Sequence, residues 1–170
     1  GKFIPTIDLS GGSKEYPRPI DTGCAVQEDN VSVEFNIPPC ENELDFVNSL
    51  NYTLEYLKDF AKQSGLELAI VPSAEFSDDQ LEHPRAQEFG CEPDYNVWIR
   101  NVNPRPQCDN PNLRSAGGHI HIGFDVDTID YEEVVKAMDA FVGCEMVAFD
   151  KDTRRRLLYG KAGALRKKHY

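Results

Sequence analysis

The chain has 170 residues with 29 acidic against 18 basic side chains, a net charge of −11, and 40% of its residues are hydrophobic. That is one ordinary domain's worth of chain, or a large part of a bigger protein, with enough apolar content for a core, which argues against wholesale disorder. So acidic a chain is repelled by nucleic-acid phosphates and anionic lipid, and no window nears the roughly 18 to 20 apolar residues that span a bilayer. No signal-peptide pattern opens the chain, although it begins at Gly1 rather than Met. The five cysteines, Cys24, Cys40, Cys91, Cys108 and Cys144, are odd in number and never in C-x-x-C spacing. That pattern reads as reduced thiols in a cytoplasm rather than a disulfide framework or structural zinc site, with Cys40, Cys91 and Cys144 expected as small buried fillers.

The first thirty residues are turn-rich and read as short strands joined by loops. VSVEFNI at 31–37 alternates strictly, with Val31, Val33, Phe35 and Ile37 on one face and Ser32, Glu34 and Asn36 on the other, and Pro38-Pro39 stops the strand. Over 42–64 the period becomes helical through Leu44, Val47, Leu50, Leu54, Leu57 and Ala61, with Gly65 placed to end the helix. Residues 66–71 read as a strand, 73–93 as a polar, proline-interrupted surface excursion, and 95–100 as another strand. A strand through the His119 region follows. Asp130 with Glu133 then opens a second amphipathic helix carrying Val134, Val135, Met138, Phe141, Val142 and Met146. Several strands, two long helices and no regular βαβ alternation predict an α+β fold with a mostly antiparallel sheet, and residues 1–170 read as a single domain.

Chemistry-bearing residues fall in four places. In GGHIHIG (117–123), a strand would present His119 and His121 on the same face while Ile120, Ile122 and Phe124 pack beneath. Paired imidazoles suit a metal or a phosphate; otherwise they are two exposed strand histidines. Glu34, with Asp29 near the start of its strand, is either a rigidly held carboxylate for a hard cation such as Mg²⁺ or part of a solvated sheet face. The tail from Lys151 reverses the charge balance, with Arg154, Arg155, Arg156, Lys161, Arg166, Lys167 and Lys168 around the sequence YGKAG. It reads as a receptor for polyanionic phosphate or as a basic end complementing an acidic body. Glu92, Asp94 and Asn96 line a site or form an Asx-type turn. Glu82-His83 reads as surface, and no Ser-His-Asp order, G-x-S-x-G, G-x-G-x-x-G or Walker A string is present.

Taken together, GSKEYP (12–17), DNVSVEFNIPP (29–39), SAGGHIHIG (115–123) and RLLYGKAGALR (156–166) resemble the phage-encoded carboxylate–amine ligases, relatives of glutamine synthetase and glutamate–cysteine ligase. The resemblance runs in the family's order over nearly the whole chain. It implies a curved antiparallel sheet of the glutamine-synthetase type with the two long helices on one face, binding ATP and Mg²⁺. It also implies metal ligation by Glu34 and His119, with Arg156 and Arg166 holding phosphate or the substrate carboxylate. His121, Arg155, Lys161 and Lys14 would lie along the nucleotide and substrate. The implied reaction joins a carboxylate to an amine, on amino-acid or peptide-like substrates, through an acyl phosphate in the host bacterial cytoplasm. The relatives often form oligomers. The family's acidic opening strand and closing E-x-R element have no counterpart here, which implies a fragment or trimmed form. A degenerate ligase domain acting as a non-catalytic module is the rival reading, and a metal hydrolase using His119 and His121 ranks behind it.

Overall fold

Residues 1–21, 23–87, 93–125 and 127–167 are described by the computed structural model. β1 (Arg18–Asp21), β2 (Cys24–Asp29) and β3 (Ser32–Asn36) make one antiparallel sheet in that order, as the short strands of the opening segment lead one to expect. β2 is the central strand, and its Cys24, Val26 and Gln27 are buried. The alternating segment forms β3, but Val31 leaves the ladder: Asp29 pairs with Ser32, so Val31 sits in the turn and is buried there.

α1 (Glu43–Gln63) begins and ends where its cap residues dictate. Asn42 Oδ1 accepts the Asp45 N–H at 2.9 Å, and Gly65 follows the last turn at φ 70. Its apolar stripe is only half used. Thr53 and Leu57 are buried, whereas Leu44, Phe46 and Val47 in the first turns are exposed. Residues 66–71 do not form the expected strand; Ile70 is 70% exposed, and apolar alternation without a ladder partner leaves the backbone irregular. The strand comes later, as β4 (Ser73–Glu75). The excursion after it is less superficial than its composition predicts. A 3₁₀ turn at Asp78–Leu81 and the short α2 (Pro84–Gln87) deliver Phe76, Leu81 and Ala86 into the core.

The expected strand at 95–100 is instead a hairpin. β5 (Tyr95–Asn96) turns at once into β6 (Asn101–Val102), because Asn96 Oδ1 accepts from Trp98 N at 2.9 Å and Arg100 adopts φ 52. β7 (Leu113–Ser115) pairs with β4, and β8 (Ala164–Leu165) closes the antiparallel order β6-β5-β8. Residues 117–124 form no strand; none makes a backbone hydrogen bond among the described residues, and Ile120 and Ile122 are 68% and 43% exposed. The alternation that was to seat the apolar side chains under the imidazoles therefore has no sheet to act on.

The second long helix is a helical run with a phase break: α3 (Tyr131–Met138), a π-helical turn at Asp139–Gly143, and α4 (Cys144–Phe149). The π turn inserts a residue and rotates later positions by about 100° relative to a 3.6-residue period. Val134, Val135 and Met138 are accordingly half-buried, while Phe141, Val142 and Met146 are exposed. Asp130 caps α3 as expected, by accepting the Glu132 N–H. α5 (Thr153–Leu158) completes the helices. Of the expected buried cysteines, Cys40 is half-buried and Cys144 exposed, whereas Cys91 lies outside the described residues.

The fold is α+β with small antiparallel sheets, in two compact units: Gly1–Val71 with Glu75–Gly90, and Pro72–Ala74 with Cys91–Tyr170. No helix among the described residues is long and apolar enough to cross a membrane.

Candidate functional site

The second unit gathers the basic segment and the glycine-histidine segment. Asp152 starts α5: its Oδ1 accepts from Arg154 N at 3.0 Å and Arg155 N at 3.2 Å, and its Oδ2 accepts from the Ser73 hydroxyl. That hydroxyl, aided by the backbone N–H of Arg155 and the side chain of Arg154, holds the Asp152 carboxyl down at about 2. With α5 fixed in this way, Arg155 donates from Nε to Ala116 O at 2.7 Å, and Ala116 N bonds Pro72 O at 3.0 Å. The basic segment thus grips the chain three residues before His119. His119 and His121 themselves are exposed.

The arginines of this unit have different employments. Arg156 donates to Asp150 O at 2.8 Å and lies 3.8 Å from the Asp150 carboxylate. Arg166 pairs with Asp94. Arg154 bonds Ser73 Oγ at 3.0 Å and lies 3.4 Å from Asp152 Oδ2. Arg100 reaches the buried Glu132 at 3.1 Å. Arg114 is buried against the carbonyls of Pro111 and Leu113, and burial pushes its pKa down. Lys167 stands 3.4 Å above the Tyr131 ring centre, and Lys161 is exposed beside a cleft of about 30 Å³ lined by Asp94, Asn103, Pro104 and Tyr159. Lys168 and Glu92 lie outside the described residues.

Asn96 takes the turn role. Its buried carboxamide donates to Asn103 Oδ1 at 3.1 Å and Ala162 O at 3.0 Å and accepts from Trp98 and Ile99 N–H, so every polar capacity is met. Beside it is a junction that sequence reasoning missed. Asp139, the first residue of the π turn, accepts from the Trp98 indole N–H and from Gly163 N at 2.7 Å. A carboxylate within an apolar helical run and a lone tryptophan were the available signals, but neither names its partner.

Glu34, Asp29 and Lys14 belong to the first unit. Glu34 stands opposite Gln27 in the β2–β3 register and accepts from Gln27 Nε2 at 2.7 Å. Lys14 is exposed in a turn closed by Ser13 and Tyr16, whose backbone groups bond at 3.0 Å. Mg²⁺ asks for about six oxygens in near-octahedral array. Among the described residues no group of three or more His, Cys, Asp or Glu side chains could hold a metal ion, so those residues do not make a complete shell.

Comparison with protein-family profiles, with curated proteins and with solved structures returned no match.

Proposed function

We propose that the chain is an ATP-dependent carboxylate–amine ligase built on a glutamine-synthetase type of sheet. The observation that carries this reading is the Arg155–Ala116 hydrogen bond, which ties the basic segment to the irregular segment holding His119 and His121. Those two strings, with the Glu34 string on β3 and GSKEYP at 12–17, are the ones in which the chain resembles the ligase family.

In this reading a substrate carboxylate oxygen attacks the γ-phosphorus of ATP, and ADP leaves. The resulting acyl phosphate has a good leaving group where the carboxylate had none. The amine nitrogen then attacks the acyl carbon, phosphate departs, and the amine gives up a proton to form the amide. Phosphoryl transfer asks chiefly for positioned positive charge, which Arg155, Arg156, Lys161 and Arg166 supply, with His121 near the nucleotide and Lys14 toward the substrate. Glu34 and His119 are the proposed Mg²⁺ ligands, and the ion would screen the negative charge of the phosphates. Amino acids and short peptides are the proposed substrates, in a cytoplasm.

The test is ADP release with ATP, Mg²⁺ and pooled amino acids or peptides. Glu34→Ala and His119→Ala should each lower it about 10²-fold; wild-type rates in both variants would sink the reading. The internal pairing of Arg156 with Asp150 and Arg166 with Asp94 favours a second reading, a ligase-derived module that binds without turning over. That module would release no ADP with any pool.

A further inference from the structure

Among the arginines of α5 and the segment after it, Arg155 alone has no carboxylate within ion-pairing reach among the described residues. Among the described residues its side chain makes one hydrogen bond, from Nε to Ala116 O, which fixes the guanidinium plane while leaving both terminal nitrogens with their donors unspent. Two glycines make room for those nitrogens. A Cβ on Gly117 would stand 2.8 Å from Nη2, and one on Gly160 would stand 3.0 Å from Nη1. Gly117, Gly118 and His119 add backbone N–H groups that meet no acceptor among the described residues, and Lys161, next to Gly160, is exposed and unpaired there. A fixed guanidinium fork, free backbone donors and an ammonium group, with no carboxylate among them, form a receptor for an oxyanion.

We propose that Arg155, with Gly117, Gly118 and Lys161, binds a phosphate chain, and that it is the first phosphate contact of the basic segment. Arg156 and Arg166 would have to release Asp150 and Asp94 before serving, whereas Arg155 has no carboxylate to release. The identity of the ligand as a nucleoside polyphosphate rests on the ligase reading; the donor set does not.

The experiment titrates the full chain, without metal, with inorganic pyrophosphate and separately with ATP, by calorimetry. Arg155→Gln should weaken pyrophosphate binding about tenfold, Gly117→Ala should weaken it by displacing the guanidinium, and Lys151→Gln, which removes an equal charge four residues earlier in the chain, should change it less than about twofold. Thermal melts establish that each variant is folded, and Arg155→Lys should recover part of the loss. Equal weakening for both probes assigns the site to the phosphate chain; weakening confined to ATP, with pyrophosphate affinity unchanged, overturns that assignment. Unchanged affinity in folded Arg155→Gln, or the same loss in Lys151→Gln, overturns the proposal. Arg155-dependent pyrophosphate binding without ADP release would sink the ligase and leave this site. ADP release with Arg155-independent binding would sink the site and leave the ligase.

Discussion

Asp152 does more for the second unit than its place in the loop before α5 suggests, because it sets where Arg155 points. Its oxygens take two backbone N–H groups of α5 and the Ser73 hydroxyl, all of which favour the ionised form. A carboxyl lowered to about 2 stabilises the fold fully above the ordinary carboxylate range near 4, and that contribution is lost as pH falls through about 2. Ser73→Ala removes the largest cause, so the Asp152 titration should move upward and acid loss of α5 should begin at higher pH. A carboxyl ¹³C titration by NMR reads this directly, and an unmoved midpoint would refute the role given to Ser73. Gly163 is the other residue with a sharp expectation. It sits at φ 75, and a Cβ there would meet Trp98 Cδ1 at 2.6 Å and Asn96 Oδ1 at 2.7 Å. Gly163→Ala should cost about 1–3 kcal/mol in urea unfolding from the backbone conformation alone. A neutral result would mean that the loop re-forms without the Asn96 junction.

The helical run from α3 to α4 shows how an element can keep its length and lose its face. Asp139 lies at the π turn and accepts from Trp98 and Gly163, joining the helix to the β5–β6 turn and to the loop before β8. Asp139→Ala leaves two donors without their acceptor and should destabilise the second unit by about 1–3 kcal/mol, with Trp98 fluorescence following the same transition. Loss of stability below about 0.5 kcal/mol would show that solvent replaces the carboxylate. α1, β3 and the Asp130 cap were legible because their signals are local: an Asp cap, a closing glycine, a period of two or of 3.6. The π turn was not, since the bonds of Asp139 reach 41 and 24 residues away. The 95–100 hairpin was missed because one carboxamide, Asn96, outweighs the β-propensity of Val97, Trp98 and Ile99. The 117–124 segment has strand composition but no ladder partner among the described residues, and alternation cannot reveal that lack. The same limit hid the pairing of Asp94 with Arg166, 72 residues apart.

At the scale of the whole molecule the acidic charge is not shared. The first unit carries 17 acidic and 6 basic residues, a net −11, while the second carries 12 of each and is neutral. Repulsion of polyanions inferred from the total therefore resides in the first unit, whereas residues 151–168 hold eight Lys and Arg against the single acid Asp152. Like charges at this density oppose compaction, and salt weakens that opposition as the screening length drops from about 30 Å at 0.01 M to about 8 Å at 0.15 M. The two units should then respond unequally to salt. Hydrogen exchange followed by mass spectrometry separates them, since peptides from β2 and α1 report on the first and peptides from α3 and α5 on the second. Raising NaCl over that range should slow exchange in β2 and α1 more than in α3 and α5, where screening also weakens the pairs of Arg156 with Asp150 and Arg100 with Glu132. Equal slowing in both units would mean that the repulsion is spread over the whole chain rather than held in the first unit, and the charge division would then have no energetic consequence.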